Sequence, residues 1–216
     1  MGDETPGRRA VRIAIIVEGD TEKVFMPILR NFLLGRLKGK MPKLDPVPRN
    51  GLIPIKNGLK KLVNRLFNDR RAPADAIIAL TDVYTGMNPP RFQDADDAIQ
   101  KMKNWVGANE DRFFPHAASY EFEAWLLPYW NDIQRLAGHN KKSPGKHPEK
   151  VNHNKPPSHH LKEIFEAGTG GSSYSKIRDA KRILQGKDLL VAARQCPELK
   201  SLLNTILQLC KGELIP

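Results

Sequence analysis

Apolar and polar residues alternate along the first 135 positions with two periods, one typical of buried strands and one of amphipathic helices. Residues 11–17 (VRIAIIV), 76–81 (AIIALT) and 113–119 (FFPHAAS) are short runs dominated by apolar residues, and such runs predict buried strands. A weaker apolar group, Leu52, Ile53 and Ile55, predicts a further short strand near the end of residues 45–56.

Between these runs the apolar residues recur every three to four positions, which predicts helices. The predicted helices span residues 21–37, about 59–67 and about 95–106, and another opens at residues 121–127. Strands that alternate with helices through short turns favour an α/β protein with a mostly parallel sheet and helices on both faces. We assign this core to residues 11–137.

The chain changes character beyond the core. Residues 138–158 contain almost no apolar side chains and are rich in Lys, Pro, Asn and His, which predicts a long, mobile, basic loop. Helical periodicity returns over residues 159–216, which we interpret as a helical extension that packs on the core. Residues 1–10 are interpreted as a disordered lead-in.

Length and composition narrow the possible classes of protein. A chain of 216 residues can form one substantial core with an appendage. It contains no apolar stretch near the roughly 20 residues that cross a bilayer, and its start lacks the pattern of a signal peptide. We therefore expect a cytoplasmic protein with no membrane partner, whose two cysteines, Cys196 and Cys210, are reduced.

The charge of the chain indicates an anionic partner. Lys and Arg outnumber Asp and Glu by 35 to 24, and the excess is concentrated in residues 141–200, which hold 13 basic and 6 acidic residues. Such an excess favours nucleic acid, either DNA or RNA. The residues predicted to contact its backbone are Lys141, Lys142, Lys146, Lys155 and Arg178.

Acidic residues follow three of the predicted strands. Glu18 follows the first, Asp82 follows the AIIALT strand, and Glu121 and Glu123 follow the FFPHAAS strand. Sites in open α/β sheets form at the carboxyl ends of strands. Carboxylates that converge there repel one another, and a hard cation such as Mg²⁺ or Mn²⁺ relieves that repulsion. Any one of these acids alone is better explained by helix capping or the helix dipole.

These same segments carry a family resemblance. The stretch IIVEGDTEKVFMPIL resembles the opening strand, turn and helix of Toprim domains, and AIIALTDVYTG occupies the place of their Asp-x-Asp strand end. The ordered set EGDTE, DVYTG and EFEAWLL, with the later PPSHHL and YSKI, more closely resembles the bacterial family listed as domain of unknown function 4276. The resemblance implies a Toprim-like fold, with Glu18, Glu22 and Asp82 as metal ligands.

The chain departs from the Toprim pattern at one position. The second acid of Asp-x-Asp would be residue 84, which is Tyr84 here. Glu121 and Glu123 are the available replacements. If their segment is helical, they lie about 200° apart around the axis and only one can face the metal, whereas on an extended segment both can.

The leading interpretation is a metal-dependent nuclease, the effector of a bacterial defence system. Glu18 and Asp82 would be catalytic, and Lys176 resembles a cationic position that some related nucleases place near the scissile phosphate. Such relatives work with an ABC-type ATPase. No G-x-x-x-x-G-K-[ST] motif occurs here, so that partner would be a separate subunit. The alternatives are a catalytically inactive Toprim scaffold, which Tyr84 favours, and an RNA-directed nuclease toxin.

Overall fold

A four-stranded parallel sheet forms the centre of the described part of the chain. The structure, a computed structural model, describes residues 9–39, 41–84, 88–107, 110–151, 155–168 and 173–216, and gives only the backbone of residues 20–23. The strands are β1 (Arg12–Val17), β2 (Lys43–Pro48), β3 (Ala76–Asp82) and β4 (Phe113–Ala118). Their order is β2-β1-β3-β4, and each neighbouring pair is parallel.

Helices cover both faces of this sheet. Helices α2 (Asn57–Phe67) and α3 (Ala95–Val106) pack on one face, while α1 (Asp20–Leu34) packs on the other. Strand β1 contributes apolar side chains to both faces of the sheet: Ile13 and Ile15 belong to one apolar cluster, and Ala14 and Ile16 belong to the other. This two-sided burial explains the continuous apolar run of β1. The predicted α/β class is confirmed, and the architecture is consistent with a Toprim-like fold.

The carboxyl-terminal helices join the layer that contains α1. A 3-10 helix (Phe122–Tyr129) leads into α4 (Trp130–Ala137), and then follow α5 (Pro157–Ala167), α6 (Lys176–Leu184), α7 (Leu189–Ala193) and α8 (Pro197–Leu209). Gly168 lies so close to α4 that a Cβ atom there would come within 1.7 Å of the Ala137 carbonyl oxygen. Among the residues described, no helix is long and apolar enough to cross a membrane.

The predicted position of β2 is wrong. The strand covers residues 43–48, before the apolar group that contains Ile53. It includes Pro46 and Pro48, which cannot donate ladder hydrogen bonds and are tolerated because β2 is an edge strand. Ile53 is fully buried, but it lies in an irregular segment. The apolar residues around Ile53 were mistaken for a strand because they are buried in a segment that has no regular secondary structure.

Residues 138–151 are attached to the helical layer at several points. The side chains of Trp130 and Gln134 both donate hydrogen bonds to the Lys141 carbonyl, at 2.8 and 3.0 Å. A short 3-10 turn (Pro148–Lys150) then buries Glu149 and is followed by the buried Val151. Composition alone predicted a mobile loop because polar residues dominate the segment, yet a few of them make specific buried contacts. Residues 152–154 of that predicted loop, and 1–8 of the lead-in, lie outside the described residues.

Candidate functional site

The carboxyl ends of β1 and β3 bring Glu18 and Asp82 to one edge of the sheet. Glu18 directly follows β1, and Asp82 is the last residue of the adjacent parallel strand β3. The Thr81 hydroxyl donates a hydrogen bond of 2.5 Å to Glu18 Oε1. The backbone N–H of Phe122 donates to Asp82 Oδ1 at 2.9 Å. Both carboxylates are therefore oriented by groups on neighbouring segments.

The turn after β4 aims the next acidic residues at the same edge. Tyr120 has φ 64°, in the left-handed region that costs a non-glycine residue about 1–2 kcal/mol. The Tyr84 N–H donates to the Tyr120 carbonyl at 2.7 Å and holds this turn against the end of β3. Glu121 is consequently extended (φ −145°, ψ 157°), and the 3-10 helix begins at Phe122.

Glu121 and Glu123 both face Lys176, the first residue of α6. The Lys176 Nζ lies 3.1 Å from Glu123 Oε1 and 3.9 Å from Glu121 Oε1. Glu121 Oε2 also accepts a hydrogen bond of 2.9 Å from the Ser158 N–H in the first turn of α5. The sequence left open whether this segment is helical or extended, and neither alternative holds for both residues. Glu121 is extended and Glu123 is helical, yet both carboxylates approach one ammonium group.

The electrostatics of this cluster follow from its burial. Glu123 is 1% exposed, and burial raises the pKa of its carboxyl, while the Lys176 ammonium opposes that shift. Burial alone would lower the pKa of Lys176, but the charges of Glu123, Glu121 and Asp82 outweigh it and raise that pKa. The Lys176 side chain is half exposed. It is thus a charged group that solvent and an anionic ligand can reach.

The described side chains suit a divalent cation only in part. Within the described ranges, no three His, Cys, Asp or Glu side chains lie close enough together to hold a metal ion. Glu121 and Glu123 already face Lys176, and the side chain of Glu22 is not among the described ones. Glu18 and Asp82 offer hard oxygen donors from adjacent strand ends. Such a pair fits Mg²⁺, which proteins often hold through one or two carboxylates, with water and substrate phosphate completing the shell.

Two residues near these carboxylates were missed by the sequence analysis. Arg91 donates a hydrogen bond of 2.6 Å to the Ile53 carbonyl, and its buried Nη1 has no hydrogen-bond partner among the described residues. Burial lowers the pKa of Arg91, and the charge of Glu18 opposes that shift. Tyr174 is the second, since burial together with the charge of Glu123 raises its pKa. No motif marks Arg91, which lies in an irregular loop, whereas Tyr174 is the first residue of the YSKI element and was given no role there because only the fold brings it near Glu123.

The five predicted nucleic-acid contacts fall into two groups. Lys141 and Lys155 both form ion pairs with Glu163, at 2.5 and 2.6 Å, and Arg178 pairs with the buried Asp179 at 2.8 Å. Lys142 and Lys146 are exposed and form no ion pair within the described residues. Tyr84, which the sequence analysis placed at the second position of the expected Asp-x-Asp strand end, is 48% exposed.

Comparison with known proteins identifies the family of the chain. No curated protein and no solved structure matches it. The sequence model of one protein family matches residues 17–207, a range that includes all four strand-end acids and Lys176. The chain belongs to this family, which is described as a domain of unknown function (DUF4276).

Proposed function

We propose that this protein is a divalent-metal-dependent nuclease that hydrolyses phosphodiester bonds of DNA or RNA. The observation that supports this most is the set of side chains at one edge of the sheet. The carboxylates of Asp82, Glu121 and Glu123 raise the pKa of the half-exposed Lys176, which comes from a distant helix, and Glu18 follows the strand beside Asp82. The resemblance to Toprim nucleases favours the same chemistry and a role as the effector of a bacterial defence system.

Each residue of the site has a distinct role in this proposal. Glu18 and Asp82 would hold Mg²⁺ or Mn²⁺, which when bound neutralises phosphate charge and lowers the pKa of a bound water. Thr81 and the Phe122 N–H keep those two carboxylates oriented. Lys176 would donate to a phosphate oxygen, because Glu121 and Glu123 fix its ammonium at the edge of the site. Arg91, beside Glu18, would supply a second cation.

A cleavage assay tests the proposal. Plasmid DNA, single-stranded DNA and tRNA are incubated with Mg²⁺ or Mn²⁺ and with the wild type, Glu18→Ala or Asp82→Ala. We expect each variant to lose at least about 100-fold in rate, since either change removes a metal ligand. The matched controls, Glu166→Ala and Asp111→Ala, remove exposed acids elsewhere and should keep wild-type rates. Metal-dependent cleavage that persists in both site variants would overturn the proposal.

A second candidate is a catalytically inactive Toprim scaffold that binds nucleic acid or regulates a partner ATPase. Tyr84 at the expected acidic position favours it, as does the lack of a three-residue metal cluster among the described residues. Nucleic-acid binding without cleavage in any metal would support this candidate. Cleavage of tRNA but not of duplex DNA would instead indicate an RNA-directed nuclease.

The proposal also concerns partners and location. An ABC-type ATPase, as a separate subunit, would be its partner. Both proteins would act in the cytoplasm, where the nucleic-acid substrate is found.

A further inference from the structure

A cleft of about 540 Å³ opens beside the carboxyl end of β4. One wall contains Ser119, which directly follows β4 and lies two residues before Glu121. The 3-10 turn that includes Lys150 forms another wall, and the end of α7 at Arg194 a third. The cleft therefore begins at the same edge of the sheet as the candidate site.

The basic side chains of this cleft are available for an external anion. Lys146, Lys150 and Arg194 are all exposed, and none forms an ion pair with another described residue. They differ in this from Lys141 and Lys155, which both form ion pairs with the single carboxylate of Glu163. Cations without internal partners, gathered in one concave surface, attract anionic ligands.

The acidic residues of the cleft oppose such a ligand only weakly. The Glu149 carboxylate is buried and accepts hydrogen bonds from Trp125 Nε1 and from the backbone N–H groups of Glu198 and Leu199. Burial and the neighbouring charge of Glu149 raise the pKa of Glu198 to about 7. A substantial fraction of Glu198 is therefore neutral near physiological pH, and the three basic residues dominate the charge of the surface.

We infer that this cleft binds the sugar–phosphate backbone of nucleic acid and leads the strand to the carboxylate edge of the sheet. The inference deepens the proposed function and rests on it for the direction of the strand. Arg194 can form a bidentate contact with phosphate, and the two lysines supply further point charges in the same cleft. The position of Ser119, at the carboxyl end of β4 and two residues before Glu121, favours nucleic acid over an acidic protein segment, because a strand bound in the cleft would lie at the same edge of the sheet as the site.

Binding can be measured separately from cleavage. Fluorescence anisotropy with labelled single-stranded DNA, duplex DNA and RNA is recorded in EDTA at several salt concentrations. The cleft variant carries Lys146→Ala, Lys150→Ala and Arg194→Ala. The control carries Lys60→Ala, Lys61→Ala and Arg65→Ala, which remove the same residue types from the exposed face of α2. Thermal melts establish that both triple variants remain folded.

We expect the cleft variant to bind at least about 30-fold more weakly and the control to bind nearly as the wild type does. The slope of log K against log salt should fall by about 2–3 for duplex DNA, or about 0.9 for each phosphate that the protein no longer neutralises. Equal weakening in both triple variants, an unchanged salt slope, or no binding by the wild type would overturn the inference. So would stronger binding of a poly-glutamate competitor than of nucleic acid.

The two proposals fail in different ways. If Glu18→Ala keeps full cleavage while the cleft variant loses binding, the assignment of the site is wrong and the cleft inference stands. If Glu18→Ala abolishes cleavage while the cleft variant binds normally, the nuclease proposal stands and the cleft inference is wrong.

Discussion

Two buried glutamates in the helical layer, Glu123 and Glu149, are stabilised in different ways. Glu149 accepts hydrogen bonds from an indole and from two backbone N–H groups at the start of α8, all of them neutral donors. Glu123 instead faces the half-exposed ammonium of Lys176. The first arrangement joins three segments of the chain, whereas the second keeps a charged group at the surface. Similar burial of one residue type therefore accompanies a structural role in one case and a candidate functional role in the other.

Of the substitutions proposed here, Glu149→Ala should reduce the free energy of unfolding the most. This change leaves the Trp125 indole and two backbone N–H groups without their acceptor, and each unsatisfied buried donor costs about 1–3 kcal/mol. On that basis we expect urea denaturation to show about 4 kcal/mol less stability. Glu166→Ala, which alters an exposed glutamate, serves as the control. A decrease below about 1 kcal/mol would show that the hydrogen bonds of Glu149 do not hold the segments together.

The next largest effect is expected for Lys176→Met, which should lower the rate of nucleic-acid cleavage and leave the free energy of unfolding nearly unchanged. Removal of the ammonium should reduce nucleic-acid cleavage about 100-fold, or about 2.7 kcal/mol in the transition state. The midpoint of urea unfolding should change little, because the lysine is half exposed and Glu123 can take up a proton when its partner is removed. Lys181→Met, on the same helix, provides the control. A large decrease in stability with unchanged cleavage would assign Lys176 to the same class as Glu149.

His116 is also buried and ionisable, but it is a base, whereas Glu123 and Glu149 are acids. Its Nε2 lies 3.0 Å from the Thr205 hydroxyl, and burial lowers its pKa to about 4. Since an unfolded histidine has a pKa of about 6.5, the unfolded chain binds more protons between these values, and stability falls as the pH falls through that window. We expect a decrease of about 2 kcal/mol attributable to His116 between about pH 7.5 and pH 5.

The contribution of His116 is isolated by a difference measurement. Urea denaturation of the wild type and of His116→Gln at both pH values removes the common contribution of the carboxylates. The glutamine variant should lose less stability on acidification than the wild type does. Parallel pH dependences would show that His116 is not the group responsible.

The smallest change in stability is expected for a substitution of Glu163, which forms ion pairs at the surface. Hydrogen bonds from Lys141 and Lys155 lower the pKa of Glu163 to about 2. Its stabilisation is thus present above the ordinary glutamate pKa and is lost as the pH falls towards about 2. Glu163→Gln should cost less than about 1 kcal/mol at neutral pH, since the lysines are exposed and screened. Thermal melts at neutral pH check this, and the same variant should bind nucleic acid more tightly because it frees two lysines.

The sequence predicted the core strands well where burial is two-sided. Strands β1, β3 and β4 lie within a residue or so of their apolar runs, because each of them is covered on both faces and therefore needs apolar side chains on both, including β4 at one edge of the sheet. The edge strand β2 was misplaced. Its prolines contradict a strand pattern, and only its position at the sheet edge makes them acceptable.

The candidate site was predictable only in part. The alternation of strands and helices, and the acids that follow the strands, were enough to place Glu18 and Asp82 at one edge of the sheet. Arg91 gave no such signal, because it lies in a loop with no regular pattern and only the fold brings its charge near that of Glu18. Lys150 and Arg194 were not distinguished from the other basic residues, since composition counts charges but cannot tell which of them are already paired.

The sequence by itself determined the alternation of strands and helices, the acidic strand ends and the excess of basic charge. These properties are local or additive, so they can be read along the chain. Tertiary structure decided that Glu121 and Glu123 both face Lys176, that Glu149 is a structural acceptor, and which lysines remain available. Those outcomes depend on contacts between residues tens of positions apart. The acidic residues at the strand ends therefore follow from the sequence, whereas their partners follow from the fold.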